Sequence, residues 1–495
     1  MAHLCNGIGI FFCSFCLFFT FRYQRIFALS QSTEQVVNTA FASLKLKPEL
    51  LENLQTMGFE SMTQIQAESL PPILAGEDVI GQAMTGSGKT AAFGLGLLNK
   101  LDVKRFRIQT MVLCPTRELA DQVAKDIRTL ARGIHNVKVL TLCGGVPMGP
   151  QVGSLEHGAH IIVGTPGRIV DHLDRNRLDL SNMNMLILDE ADRMLEMGFQ
   201  QHIDQIIAAA PRERQTLLFS ATFPDQIQAI ADQILYKPVM VKVEAKHDNL
   251  TIDQHFYRIE DNQGRLEALR LLLLDKQPGS AVVFCNTKRE TQQVADSLHE
   301  FGFSVLALHG DLEQRDRDQM LLQFANRSAR ILVATDVAAR GLDIDELDAV
   351  FNYHIAYDTE VHIHRIGRTG RAGSSGAAYT FFGEEDGYKM AMIEEAMNKD
   401  VVSEPLPPMS ALNKQPLAAE MITIQIEAGK KQKIRPGDIV GALTGGNGLD
   451  FNDIGKIKVT DFRAYFAVKS NVSKQAMNII SKGKLKGRSY RAWFM

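Results

Sequence analysis

Short apolar runs punctuate the chain from Thr39 onward, and longer stretches with apolar residues every three or four positions lie between most of them. The runs Asp78–Gln82, Gln109–Cys114, Val137–Leu142, His160–Gly164, Met185–Leu188 and Gln215–Phe219 predict buried strands. Amphipathic segments such as Glu118 to Arg132 predict the helices between them. Alternation of this kind implies a parallel sheet covered on both faces. A polar break at Lys246 to Thr251 interrupts the pattern. It restarts with Ala281–Cys285, Ser304–Leu308, Arg330–Ala334, Ala349–Tyr353 and Ala378–Phe382. Glu404 to Ala419, with four prolines, reads as a linker. Beyond it the pattern changes to strand Met421–Glu427, helix Pro436–Leu443, strands Ile457–Thr460 and Arg463–Val468, helix Ser473–Ser481 and strand Ser489–Phe494. The expected architecture is α/β: two doubly wound parallel-sheet domains over 39–245 and 252–400, a linker over 401–420 and an α+β module over 421–495.

Residues 1–38 stand apart. Ile8 to Phe21 is an apolar run of 14 residues followed by Arg22 and Arg25. A membrane span needs about 20 residues, and the basic leader and small-residue cleavage site of a signal peptide are missing. The expectation is a dispensable or disordered tail, or an upstream misreading of the start, rather than an anchor.

Composition is that of a globular protein, 45% hydrophobic and 22% charged with a net charge of −3. That average hides an asymmetry. Met421 to Met495 holds 14 Lys+Arg against 5 Asp+Glu, a net +9 that leaves −12 on the remainder. A basic module on an acidic body points to a polyanionic partner. The six cysteines have no zinc spacing, which excludes a structural zinc site and fits a reducing, cytoplasmic compartment.

Candidate chemistry gathers at strand ends. Ala83-Met84-Thr85-Gly86-Ser87-Gly88-Lys89-Thr90 follows the strand at 78–82 and opens a helical run. Glycines there turn backbone N–H groups toward a phosphate, and the helix N-terminus adds a favourable dipole. Thr85, Gly86, Ser87 and Gly88 would cradle the phosphates, Lys89 would reach the β and γ groups, and the Thr90 hydroxyl would ligate Mg²⁺. Ala83 stands where the general pattern has glycine. Leu186 to Asp192, LILDEAD, ends another buried strand in acid. Asp189 there would hold Mg²⁺ through water, and Glu190 would orient or deprotonate the attacking water. Acidic strand ends are common, and the phosphate loop upstream is what gives this one meaning. The second domain has no such loop but carries His364-Arg365-Ile366-Gly367-Arg368-Thr369-Gly370-Arg371. An exposed basic turn is the bland reading of that stretch; beside a domain with a loop, guanidiniums completing its site is the stronger one.

Taken together these residues resemble the DEAD-box ATP-dependent RNA helicases from Phe41 to about Phe382. AxTGSGKT, PTREL at Pro115–Leu119, Gly144-Gly145, TPGR at Thr165–Arg168, DEAD at 189–192 and SAT at Ser220–Thr222 follow in family order. The HGD at His309, the Gln314-x-x-Arg317 pair, TDVAARGLD at Thr335–Asp343 and HRIGRTGR complete the series. The resemblance implies two RecA-like domains, ATP as substrate with Mg²⁺, and RNA as partner. It further implies that Gln66, in a Q motif with Gln64 in place of the usual proline, reads adenine, and that Phe41, seventeen residues before Gly58, stacks on it. Asp343 would contact the ribose, and Arg368 and Arg371 the γ-phosphate. Ser220, Thr222, Asp192 and His364 would couple hydrolysis to strand separation. Pro115, Thr116, Arg117, Gly145, Thr165, Gly167, Arg168, Gly310 and Thr335 would grip the RNA backbone without reading bases.

The order βαββαβ of the C-terminal module is that of RNA-recognition motifs. Tyr465 lies where a base-stacking ring would be, but Ala467 replaces the second ring. The basic residues lie elsewhere, at Lys430, Lys431, Lys433 and Arg435, and at Lys482, Lys484, Lys486, Arg488 and Arg491. Gly429 to Asp438, with GALTG and DIGKI after it, resembles the terminal domain of bacterial DbpA-type helicases. That resemblance implies the peptidyl-transferase-centre hairpin of 23S ribosomal RNA as target, within precursors of the large ribosomal subunit, for a monomeric enzyme with no stable membrane partner. A general RNA remodeller and a non-cycling ATP-dependent RNA clamp are the rival readings.

Overall fold

The computed structural model describes residues 39–84, 86–243, 252–339, 347–370, 376–446 and 448–495. The N-terminal apolar run, Thr85, the break at 246–251, Asp343 and Arg371 lie outside them. No helix among the described residues is long and apolar enough to cross a membrane.

Lobe 1 is a parallel sheet of seven strands: β1 (Val79–Gln82), β2 (Thr110–Leu113), β3 (Val139–Leu142), β4 (Ile161–Gly164), β5 (Met185–Asp189), β6 (Gln215–Ser220) and β7 (Val239–Lys242). Their spatial order is β3-β4-β2-β5-β6-β1-β7. Successive residues of a strand face opposite ways, so one run feeds two cores. Leu186 and Leu188 pack into one cluster and Ile187 into the other.

Lobe 2 repeats the design with β8 (Ile252–Arg258), β9 (Ala281–Cys285), β10 (Val305–Leu308), β11 (Ile331–Thr335), β12 (Ala349–Asn352) and β13 (Gly376–Phe382), ordered β10-β11-β9-β12-β13-β8. Strands β7 and β8 have no counterpart among the runs singled out from the sequence. Both are sheet edges; β7 has only three consecutive apolar residues, Val239 to Val241, and β8 mixes Asp253, Gln254, His255 and Arg258 among its apolar ones.

The module is antiparallel: β14 (Met421–Ile426), β15 (Ile454–Val459), β16 (Ala464–Lys469) and β17 (Ala492–Phe494), ordered β15-β16-β14-β17. Ile424, Ile426, Phe466 and Val468 cover helices Pro436–Thr444 and Ser473–Lys482. The two lobes and this module form two RecA-like parallel-sheet units and one RRM-like α+β unit.

The proline-bearing segment between lobe 2 and the module is fastened along its length. Glu404 N donates to Phe256 O at 2.8 Å, Lys414 Nζ pairs with Asp275 at 3.2 Å, and Arg330 Nε donates to Ala418 O at 2.6 Å. Ala411, in the 3₁₀ turn Met409–Asn413, is buried.

The lobes touch through two helix starts. Arg317 Nε lies 2.7 Å from Glu118 Oε1 and Arg117 Nη2 3.4 Å from Asp318 Oδ2, while Gln314 Nε2 reaches Glu118 at 3.3 Å.

Candidate active site

Strand order fixes the site. β6 lies between β5 and β1, so Ser220 stands between Asp189 and the loop that leaves β1, and Ala83 N donates to Ser220 O at 3.0 Å. Ligands bind at this edge of an open α/β sheet, where helix N-termini converge. A cavity of about 470 Å³ opens there, lined by Gly86, Gly88, Lys89, Thr90, Asp189 and Glu190 of lobe 1 and by Arg368 of lobe 2.

The loop glycines are required. Gly86 and Gly88 have φ of 84° and 96°, which L side chains rarely adopt, and a Cβ on Gly88 would strike Gln66 Nε2. Gln66 is almost wholly buried; its Oε1 accepts from Thr63 N at 3.0 Å and its Nε2 donates to Gly88 O at 3.1 Å. It therefore ties the candidate base pocket to the phosphate loop. Phe41 is buried in the core, edge-on to Phe59 at 6.3 Å, and Phe59 is the ring that lines the cavity.

Lys89 is nearly buried, with Nζ donating to Ala83 O at 2.7 Å. Burial pushes the Asp189 carboxyl up to about 7 against the pull of Lys89. Asp189 Oδ1 and Ser87 Oγ are buried without a hydrogen-bond partner among the described residues. Asp189 lines the cavity, and an unsatisfied carboxylate oxygen there is what a triphosphate with a hard divalent cation would satisfy, so the residues present fit Mg²⁺. Glu190 sits at φ 52° and ψ 53°, a left-handed conformation costing about 1 kcal/mol or more for a residue with a Cβ. Arg193 Nη1 holds its carboxylate at 3.0 Å, both side chains almost fully buried.

Asp192 is the hub behind the site. Its Oδ2 accepts from Ala221 N at 3.2 Å, Thr222 N at 2.9 Å and Thr222 Oγ1 at 3.0 Å, while its own N–H donates to Ser220 Oγ at 3.3 Å. Those hydrogen bonds and the cations nearby hold its carboxyl below the usual range although burial opposes them. His364 from lobe 2 enters the same neighbourhood. Burial, with Arg193 and Arg368 nearby, pushes its imidazole down to about 4. Arg365 is internal: it pairs in bidentate fashion with Asp336 at 2.6 and 2.7 Å and donates to His354 O at 2.7 Å. Arg368 alone of the described arginines in this stretch faces the cavity.

The candidate RNA residues follow the top of both sheets. Thr116 caps the helix Arg117–Leu130 by accepting from Leu119 N at 3.2 Å. Pro115 precedes it and is buried. Thr165 and Gly167 start the helix Pro166–Asp174, where Arg168 donates to Val146 O at 3.1 Å from both terminal nitrogens. Gly145, at φ 73°, lies against the Gln314 side chain of lobe 2. Gly310 is exposed, and Thr335 Oγ1 accepts from Ala338 N at 3.3 Å.

In the module the two basic clusters, fifty residues apart in sequence, meet. Lys486 Nζ donates to Lys433 O at 2.6 Å and pairs with Asp438 at 3.0 Å. Lys430, Lys431, Lys433, Arg435, Lys484, Lys486 and Arg488 are all exposed. Phe462, 65% exposed, stands one residue from Asp461, whose carbonyl accepts from Lys431 N. Tyr465 differs: it is only 7% exposed, covered rather than open for stacking.

Sequence reasoning missed the roles of Arg193, Glu118 and Phe59. Glu118 had a signal in its place in PTREL and Phe59 in its place in the Q motif after Gly58; buried partners such as Arg193 emerge once the backbone is folded.

Comparison with known proteins shows what the chain is similar to. Residues 63–230 match the family model of DEAD/DEAH box helicases, 264–373 that of the helicase conserved C-terminal domain, and 423–493 that of the DbpA RNA binding domain. The chain is 52% identical over 454 residues to the ATP-dependent RNA helicase DbpA of Escherichia coli (strain K12), covering 92% of this chain and 99% of that one. It is 42% identical over 391 residues to the DEAD-box ATP-dependent RNA helicase CshA of Bacillus thuringiensis (strain Al Hakam), covering 79% and 74%. Among solved structures it resembles S. cerevisiae Dbp5 bound to RNA and ADP BeF3, with a TM-score of 0.67, 29% identity, and coverage of 75% and 96%.

Proposed function

The chain belongs to the DEAD-box ATP-dependent RNA helicases, of the DbpA type, and from that premise we propose that its module anchors it on ribosomal RNA. The target is the peptidyl-transferase-centre hairpin of 23S RNA; the setting is assembly of the large ribosomal subunit, in the cytoplasm, by a monomer. The observation that carries the anchoring is the fusion of two basic clusters into one exposed edge through Lys486. Seven cations on one small surface suit a folded RNA, whose phosphates lie close together.

The work is done in the cleft. ATP and single-stranded RNA each contact both lobes, so both favour the closed arrangement over an open one. Gln66 and Phe59, with Phe41 behind, would frame the adenine; Gly86, Ser87, Gly88 and Lys89 would hold the phosphates. Thr90, and Asp189 through water, would hold Mg²⁺, which when bound neutralises charge on the triphosphate. Glu190, steadied by Arg193, would draw the proton from the attacking water. Arg368 of lobe 2 would meet charge developing on the terminal phosphate, with Arg371 as a second guanidinium and Asp343 at the ribose. Loss of that phosphate removes what Arg368 held, and the lobes part. Asp192, bonded to Ala221 and Thr222, would carry the change toward the RNA surface.

The test compares ATPase stimulation by the ribosomal hairpin and by a homopolymer at matched salt. Stronger stimulation by the hairpin is expected, reduced to the homopolymer level by Lys484→Glu/Arg488→Glu. Equal stimulation of the unmutated protein by both RNAs would leave a general RNA remodeller.

A further inference from the structure

The face of the module's sheet opposite its helices, where a motif of this topology receives bases, is seated on lobe 2. Thr423, Gln425, Tyr465 and Ala467 are all buried there. Asn326 Nδ2 donates to Thr423 Oγ1 at 3.1 Å, and Ser328 Oγ lies 2.6 Å from the same hydroxyl. A base presented by an RNA on the basic edge has to be met somewhere else on the module.

Phe451 and Phe462 are the module's most exposed aromatic side chains, at 67% and 65%, and neither belongs to its core. Strand register gives them opposite surroundings. Ile426 pairs with both Ala464 and Ala492, and Val459 with Ala464, so the chain after β14, between β15 and β16 and before β17 gathers at one end of the sheet. Phe462 is at that end, from which the fused basic edge extends, with Arg463 beside it and Arg491 exposed. The carboxylates there are Glu427, Asp461 and Asp438, the last already paired with Lys486. Phe451 is at the other end, where Ile454 pairs with Val468 and Met421 with Lys469, and it lies between Asp450 and Asp453.

Phe462 is also held still. Thr460 N donates to Arg463 O at 2.8 Å and Arg463 N to Thr460 Oγ1 at 3.2 Å, closing a tight turn with Phe462 at its tip. Lys430 N and Lys431 N donate to Thr460 O and Asp461 O, each at 2.8 Å, and a Cβ on Gly429 would strike Thr460 O. The turn is thus bonded to the stretch that carries the first basic cluster. Turn tips favour small polar residues, and an exposed ring there forgoes the stabilisation that burial supplies. A ring fixed in advance beside phosphate-binding cations loses little freedom when a flat partner lands on it.

We propose that Phe462 is the stacking platform for one unpaired nucleobase of the anchoring RNA, so that the module takes a stem together with a loop or bulge nucleotide rather than a plain duplex. Bases inside a stem have both faces covered by their neighbours, and only a splayed one offers a free face to an aromatic ring. The inference deepens the reading above, resting on it for an RNA held at the basic edge.

The experiment titrates the full chain with the ribosomal hairpin, the same stem as a blunt duplex and an unrelated hairpin of equal length, over a range of salt. Phe462→Ala is expected to weaken hairpin binding about tenfold. Duplex binding should stay within about twofold, and the slope of log affinity against log salt should not change, because no cation is lost. Phe462→Trp should keep the hairpin affinity, and Phe451→Ala should bind as the unmutated protein does. The proposal is overturned if Phe462→Ala binds the hairpin within about twofold of the unmutated protein, or if it loses hairpin and duplex equally. Equal affinity of the unmutated protein for the two hairpins would remove the ribosomal target alone; a tenfold loss in Phe462→Ala on both would still support the stacking.

Discussion

The nucleotide cleft and the module's seated sheet face both bury polar side chains, and they differ in what surrounds the unsatisfied ones. In the cleft, Asp189 Oδ1 lacks a partner beside a cavity of about 470 Å³. On the sheet face Gln425 Nε2 lacks one too, yet none of the cavities described reaches it. An orphan beside empty volume is answered by a ligand; an orphan inside a packed face is a standing penalty of about 1–3 kcal/mol. Burial alone does not distinguish a site from an interface. Accessible volume does.

The sharpest way to break that contrast is at Glu190 and Arg368. Glu190→Gln should lower phosphate release about 10²–10⁴-fold while ATP and RNA still bind, and Arg368→Ala should lower it about 10³-fold or more. Rapid turnover by either variant in a phosphate-release assay would remove the cleft from consideration as the motor. The basic edge comes next. Lys484→Ala and Arg488→Ala should each reduce the slope of log affinity against log salt by about 1 in hairpin titrations, whereas Tyr465→Ser should leave that slope unchanged.

Acid sharpens the cleft side further. Burial pushes the His362 and His364 imidazoles down to about 4. The unfolded chain takes up protons below about 6.5 that the folded one refuses. The two imidazoles should therefore cost stability as pH drops from about 6.5 toward 4, a loss offset in part by Asp189, whose raised carboxyl takes up its proton in the folded chain first. His364→Gln should make the decline shallower in denaturant titrations, leaving the part due to His362. The smallest effect belongs to the sheet face: Gln425→Met replaces the unpartnered amide and should raise stability by about 1 kcal/mol. A destabilised Met variant would mean that the amide has a partner when the protein works.

The two regions were not equally legible in the sequence. A phosphate loop is a local arrangement, so Gly86, Gly88, Lys89 and Thr90 declare it from consecutive positions, as 189–192 does at a strand end. The interior strands were legible for the same reason, each being a continuous apolar run. Strands β7 and β8 were not: β7 offers only three consecutive apolar residues, Val239 to Val241, and β8 mixes Asp253, Gln254, His255 and Arg258 into its length, whereas β3 and β10 were legible although they too are edges. The sheet-face contact was illegible for a different reason. Thr423, Asn326 and Ser328 lie about a hundred residues apart and are ordinary polar residues, and only the folded backbone makes them neighbours. The prolines at 404–419 read as a linker and no more, because composition reports local stiffness and says nothing of what a segment lies against.

That fastened connector has a consequence for range. A loose chain would let the enzyme sample any duplex within a sphere around its anchor. On the anchoring proposed above, a bracketed one would give it a fixed working radius, so that among the many helices near a landing site only those at one distance and bearing would come under the cleft, and architecture would select what sequence-blind contacts cannot.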